Sequence, residues 1–355
     1  MDPTESVVRN LFLIQRLANT AALGVEVLIR DLFDEIVGNL AKLDPTAVKA
    51  LGAQQARIAK LIKLVDTDAK AAFKQVLGES RQLLAEIGRN QSAWASSLLV
   101  DSLEAGGIAA TLKPGLVGAN QWKAIIDSNF IEGRLLADWF ADQGAAVGKK
   151  VEAEIRKGLL GGESVGDMVR RVRGRSTGAY DTVTLKSGAK RRLYRFEDGV
   201  LQATTRNATA VVRTATNQVS NEAHMSVFEA NADVMDGVEF NATLDSNTTL
   251  LCASLDGTVW EMGSPDIRQP PLHWQCRSTL VPVIKGLEGV GTKAAEGGPV
   301  KASTTYEQWL RAQTKEKQDA ILGPSRAELF RGNKATLRDM VRKDGSTVRL
   351  DELDS

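Results

Sequence analysis

Cysteine and histidine are each present only twice in the 355 residues, aromatic residues make up 5%, and neither sign of charge dominates. Two cysteines are too few for a disulfide-built secreted scaffold and suit a reducing compartment. With 45 Lys+Arg against 44 Asp+Glu, the chain is not one that coats nucleic acid with its whole surface. No unbroken apolar run approaches the roughly 18 residues that cross a bilayer, so no membrane segment is expected. The start, Met1-Asp2-Pro3-Thr4-Glu5, is acidic and reads against a signal peptide. What is abundant is Ala, Leu, Gln, Glu, Lys and Arg, the composition of helices. The length suits roughly two or three domains.

Residues 1 to about 112 read as two long helices. Asp2-Pro3 and Asp44-Pro45 each place a capping carboxylate before a proline at the first helical position. Leu11, Ile14, Leu17, Val25, Leu28, Leu32, Ile36 and Leu40 recur at helical spacing in the first. Leu51, Ile58, Leu61, Ile62, Val65, Phe73, Val76, Leu77, Leu84 and Ile87 do so in the second, which is expected to run about 40 residues. Such a pair forms a hairpin or stalk, packed on itself or docked on a partner. A second helical block over 113–160 carries Trp122, Ile125, Ile126, Phe130, Leu135, Leu136, Trp139 and Phe140, read as core. A short helix follows at Ser164–Val172, with Ser164 as N-cap and Asp167 in its first turn.

From Arg170 to Arg195 the character changes. Two β-prone runs, Tyr180–Leu185 and Arg191–Phe196, flank a glycine-containing turn and predict a hairpin over 178–197. The window holds Arg170, Arg171, Arg173, Arg175, Lys186, Lys190, Arg191, Arg192 and Arg195 against Asp181 alone. So local a positive patch suits a phosphate-bearing or acidic partner, or is a solvated hairpin. Residues 199–235 read as another helix. A Gly-rich linker over 286–302 leads to a helical appendage at 303–355, where Thr304 with Glu307 and Ser325 with Glu328 fit the capping box and Gly323-Pro324 stops a Trp309–Leu322 helix.

Both cysteines and one histidine fall between positions 252 and 276, as Cys252, then His273, then Cys276. Three readings stand together: a structural zinc site short of its fourth ligand, a Cys252–Cys276 disulfide, or buried free thiols beside a structural histidine. Asp245, Asp256 or a water are the candidates for the missing ligand. Asp256-Gly257, between Leu255 and Val259, reads as a tight turn joining two short strands. Pro270-Pro271 holds an extended approach to the His-x-x-Cys turn, and Leu280–Ile284 reads as a terminal strand.

These residues together resemble a known family, the phage Mu F-like minor head proteins, also called phage head morphogenesis proteins. The resemblance is carried by Arg213-Thr214, by Leu244-Asp245-Ser246-Asn247-Thr248, and by Cys252 followed by Leu255-Asp256-Gly257. It continues in Pro271-Leu272-His273-Trp274-Gln275-Cys276-Arg277. Its recognisable core spans roughly 155–285, with weaker likeness to the C-terminus. Many members have further cysteines where this chain has Thr249 and Ser278, and an arginine where it has Asn247.

The resemblance implies a mainly α protein with a small α+β Mu F-like core (161–285), long N-terminal helices, a basic β-hairpin insertion and a compact Cys/His β knot. Asp245, Asp256, Gly257, Pro271 and Arg277 would hold the knot around Cys252, His273 and Cys276, with or without zinc. It implies a minor virion component at the portal vertex, assembled in the host cytoplasm and needed for head morphogenesis, with DNA retention or ejection as further roles. Expected partners are the portal protein, the major capsid or scaffolding protein, and packaged DNA. The contacts would fall to Arg170, Arg171, Arg173, Arg175, Lys190, Arg191, Arg192 and Arg195. One alternative is an internal head protein ejected with the DNA. Another is an ADP-ribosyltransferase-like domain, but 196–285 lacks a Glu-x-Glu pair and Arg213 alone does not make one, so no enzyme is expected.

Overall fold

The structure is a computed structural model that describes residues 3–42, 51–115, 118–128, 130–131, 133–161, 163–185, 187–287 and 292–353. Asp2, Asp44-Pro45 and Lys186 lie outside the described residues. In chain order the elements begin with α1 (Pro3–Leu40), α2 (Leu51–Ala105), α3 (Ala119–Ser128), β1 (Phe130–Ile131), β2 (Arg134–Leu135), α4 (Leu136–Leu160) and α5 (Val165–Arg173). Then come β3 (Arg175–Thr184), β4 (Lys190–Glu197), α6 (Val200–Ala230), β5 (Met235–Asn241), α7 (Leu250–Leu255), β6 (Val259–Trp260) and β7 (Thr279–Ile284). The chain finishes with β8 (Thr292–Lys293), β9 (Val300–Lys301), α8 (Tyr306–Arg311), α9 (Lys315–Leu322), α10 (Pro324–Arg331) and α11 (Leu350–Leu353). The protein is mainly helical with small antiparallel sheets.

The apolar stripe of α2 runs on past Ile87 through buried Ala95, Leu98, Leu99 and Leu103, so the helix reaches 55 residues rather than about 40. It stops where Gly107 takes φ +68°, with the Ile108 amide donating to the Leu103 carbonyl. The stretch Ser6–Leu40 is, by length and composition, long and apolar enough to cross a membrane. The sequence expectation counted unbroken runs, and Arg16 and Glu26 interrupt this one. Ile14, Ala18, Ala21, Val25, Ile29, Leu32 and Ile36 of that helix are buried within the protein, the use a packed helix makes of such a stripe. The block over 113–160 is not one helix: Gly133, at φ +75°, separates β1 from β2 before α4 begins.

Two compact units emerge, each assembled from segments distant in sequence: Met1–Leu17, Ala85–Trp122 and Thr216–Ser355 in one, Ala18–Leu84 and Lys123–Ala215 in the other. In the second, α2 and α4 meet through Phe73 and Phe140, whose ring centroids are 6.4 Å apart. Gly144 lets α4 approach Ala69 and Phe73 closely. Ser164 caps α5 as read, accepting from the Asp167 amide, and the Asp167 carboxylate accepts in return from the Ser164 amide, which makes a capping box. The β3–β4 hairpin pairs Thr184 with Lys190 and Arg175 with Glu197, buries Val183 and Leu193, and leaves most of its other side chains exposed.

In the first unit a three-stranded sheet, ordered β6-β5-β7, packs on α2 and α6 through Leu99, Leu103, Met225, Phe228, Val238, Phe240 and Leu280. Gly237 sits where β6 comes so close that a Cβ would lie 2.1 Å from the Trp260 carbonyl oxygen. A second core joins Leu244, Tyr306, Trp309, Leu310, Phe330 and Leu337. Here the helix starts differ from expectation. The box forms one residue later, between Thr305 and Gln308, because Thr305 takes the extended N-cap conformation. Thr314 caps a fresh helix and splits the expected 309–322 helix into α8 and α9. Pro324 occupies the first turn of α10, so Gly323 stands at the N-cap and Ser325 cannot cap.

A buried polar ladder crosses this first unit. Asn10 and Gln91 exchange amide hydrogen bonds (2.8 and 3.1 Å), and Gln91 Oε1 accepts from His224 Nε2 at 2.9 Å. His224 Nδ1 lies 3.3 Å from Thr279 Oγ1. Asn221 accepts from the Thr279 hydroxyl and the Leu280 amide, while Asn217 and Asn221 both donate to the Ser278 carbonyl. Burial drives the His224 pKa down to about 3. The unfolded chain takes up a proton near the ordinary value of 6.5 and the folded one does not, so this site costs no stability above 6.5 and progressively more as pH falls toward 3. We expect urea unfolding to show up to about 5 kcal/mol lost across that window at roughly 1.4 kcal/mol per pH unit. His224→Gln should flatten that slope.

Candidate functional site: a buried Cys/His cluster and its ion pairs

The Thr249 hydroxyl accepts from the Cys252 amide at 3.4 Å and starts α7. Leu255 therefore ends a helix, and Asp256-Gly257 joins that helix to β6 rather than joining two strands. The turn is closed by the Thr258 amide donating to the Leu255 carbonyl at 2.9 Å, with Gly257 at φ +76° and its amide donating to the Phe240 carbonyl of β5. Between β6 and β7 the chain passes the cis Pro270–Pro271 bond and turns at Gln275 (φ +57°), bringing His273 and Cys276 to Cys252.

Cys252 Sγ lies 3.3 Å from His273 Nε2 and 3.8 Å from Cys276 Sγ, and all three donor atoms fall within 4.8 Å of one another. The cysteines are free, their sulfurs well beyond the roughly 2.05 Å of a disulfide. His273 Nδ1 is 2.9 Å from the Trp274 carbonyl, which only accepts, so Nδ1 carries a proton and Nε2 faces the sulfurs. The Cys252 thiol, donating to its neighbour, holds Cys276 well below the usual thiol range, and the same sharing pushes Cys252 up. Burial disfavours a charged His273 ring, but the Cys276 sulfur and the Trp274 carbonyl outweigh it and raise its pKa.

A tetrahedral zinc with Zn–S near 2.3 Å sets its sulfurs about 3.8 Å apart, so the sulfur pair and the oriented Nε2 fit that ion. The carboxylates read as candidate fourth ligands are committed elsewhere. Asp245 receives both Arg277 guanidinium nitrogens, at 2.5 and 2.6 Å, and the amide of Asn247 at 2.9 Å. Burial works against its charge, yet Arg277 holds it below the usual carboxylate range. The Tyr306 hydroxyl donates to the Asp245 carbonyl at 2.8 Å and pins α8 to this loop.

Asp256 and Lys293 form an ion pair at 2.5 Å, with side chains 0% and 1% exposed. Asp256 also accepts from the Ala242 and Tyr306 amides, both at 2.7 Å. It thus fastens the end of β5, the first turn of α8 and β8 at one carboxylate. Lys293 was not legible as a site residue, because the glycines on either side mark 286–302 as a linker. The stretch instead carries β8 and β9, and Leu244 bonds to Ala294 and Glu296 on either side of Ala295. A lysine flanked by Thr292, Ala294 and Ala295 was the available signal.

The hairpin arginines lie in the other unit and meet carboxylates that local counting does not see. Arg191 reaches Asp31 at 2.5 Å and Asp34 at 3.5 Å, and Arg173 reaches Asp34 at 3.0 Å, both acids on α1. Arg195 pairs with Asp181, Arg175 with Glu197 and Asp198, Arg170 with Asp167, and Arg171 with Glu163 and Glu154. Arg192 lies over the Tyr180 ring at 4.7 Å, and Tyr180 packs against Tyr194 on the exposed face, centroids 5.5 Å apart and rings tilted by 57°. Among the described residues, Lys190 and Arg192 have no carboxylate partner.

We expect Asp256→Ala to destabilise the first unit by about 3–5 kcal/mol in denaturant unfolding, because it strands a buried ammonium. An effect under about 1 kcal/mol would mean that Lys293 escapes to solvent.

Residues 149–281 match the family described as Phage Mu protein F like protein. No curated protein and no solved structure matches the chain. The matched stretch contains the hairpin, Asp245, Asp256, Arg277 and all three cluster residues, and stops short of Lys293 and Tyr306. The motifs from Arg213-Thr214 to Arg277 all fall inside it, so the stretch that carries the sequence resemblance is the stretch that is similar to the Mu F-like family.

Proposed function

We propose that the chain is a structural minor component of a tailed-phage head, bound at or near the portal vertex and acting in head morphogenesis rather than as an enzyme. The match of 149–281 to the Mu F-like family carries this reading. Its physical support is a region built for holding shape, with the sealed Asp256–Lys293 ion pair, a cross-braced Cys/His cluster and a fully buried polar ladder. The hairpin adds a surface for an anionic partner, either packaged DNA or an acidic face of the portal. Its exposed ion pairs are individually weak, so Arg175 and Arg195 can exchange a carboxylate for a phosphate at little cost. Lys190 and Arg192 would engage first, with Tyr180 and Tyr194 beside them. A part in DNA retention or exit would act through this face.

Co-expression with the portal protein of the same phage tests the reading. Co-elution on size exclusion is expected, and it should weaken with salt and in the Lys190→Ala/Arg192→Ala variant if the hairpin makes the contact. Absence of any complex, alone or with assembled heads, would sink the portal assignment.

We also propose that Cys252, His273 and Cys276 hold a structural zinc with a water as fourth ligand. One equivalent of zinc should co-purify with the protein, and a chelator should lower Tm by several degrees. Cys276→Ser should lose both effects. Metal-free protein whose Tm ignores added zinc would leave the cluster a thiol–imidazole pair.

A further inference from the structure

A lysine ammonium offers three donors, and among the described residues Lys293 has one hydrogen-bond acceptor, Asp256 Oδ1 at 2.5 Å. Both side chains are sealed from water, so a permanent charge with spare donors is costly there. Adding a C–O bond length to that contact places Nζ at most about 3.7 Å from Asp256 Cγ, close to attack distance. The Ala242 and Tyr306 amides donate to the two oxygens of the same carboxyl group, drawing electron density from Cγ. Glu239 is half-buried on the central strand β5, paired with Val259 of β6 and next to Phe240, whose carbonyl accepts from Gly257, the residue after Asp256.

We propose that Lys293 and Asp256 become joined by an intramolecular isopeptide bond, with Glu239 as the proton-transfer group. Transfer of one proton from the ammonium to the carboxylate gives a neutral amine and a neutral acid. Burial favours this by penalising charge, and it raises the pKa of both Asp256 and Glu239. The Nζ lone pair attacks Cγ and forms the N–C bond. Glu239 takes a proton from that nitrogen and delivers one to the leaving hydroxyl. The Cγ–O bond breaks, water departs, and nothing is oxidised or reduced. The amide left behind is uncharged and closes a covalent loop around β6, His273, Cys276 and β7.

The test is the intact mass of the purified full chain under denaturing conditions, followed by peptide mapping. The expected mass is one water below that of the sequence, with a branched peptide joining residues 256 and 293 and no tryptic cleavage after Lys293. Lys293→Arg keeps the charge without the amine nucleophile and should show its full mass. Glu239→Gln, folded by circular dichroism, should form the link at least tenfold more slowly. Wild-type protein that stays at full mass after prolonged incubation overturns the proposal. So does a water loss that persists in Lys293→Arg and reverses in mild alkali, since an Asp256-Gly257 succinimide would behave that way. Unchanged linking in Glu239→Gln overturns the role of Glu239.

Discussion

Asp256 receives two backbone amides and one ammonium out of contact with water, and each donor comes from a different part of the first unit. Ala242 closes β5, Tyr306 opens α8, and Lys293 belongs to β8. Removing water makes every one of these bonds stronger and every vacancy more expensive. The sheet, the short strand pair and the C-terminal helices are therefore fixed relative to one another by a single carboxylate, within a unit whose apolar cores fill the space on either side.

Around that point the remaining polar groups fall into graded layers. Asp245 with Arg277 is half-buried and bidentate, and it orients the backbone next to Cys276. The ladder from Asn10 to Ser278 is wholly buried and neutral, which is why His224 resists protonation. The hairpin ion pairs in the other unit are mostly exposed, contribute little to stability, and remain open to competition. Rigidity and exchangeable charge thus reside in different polar groups.

Periodic and short-range features could be read from the residues alone. The α1 and α2 stripes, the Ser164 cap and the hairpin strands follow from spacing or local chemistry, whereas the Asp245 to Arg277 set rests on resemblance to a family. What escaped depends on partners distant in sequence. Asp31 and Asp34 answer Arg191 and Arg173 across more than a hundred residues, and no window count finds them. Asn217, Asn221 and His224 share a face of α6 at helical spacing, a polar stripe where an apolar one was sought. The Thr305 cap was missed by one position because two threonines adjoin and only backbone conformation chooses between them. Lys293 was hidden by its glycine-rich surroundings.

The first unit draws on Met1–Leu17 as well as Thr216–Ser355, while every segment of the second lies between Ala18 and Ala215. On the ribosome the two therefore cannot mature together. The second has all its residues once Ala215 has emerged, whereas Asn10 and Gln91 must wait for His224 and Thr279 before their buried hydrogen bonds close. Until then the leading turns of α1 carry an apolar face with no finished core to receive it. The order of synthesis makes the β6-β5-β7 sheet and the C-terminal helices the last part of the chain to lock.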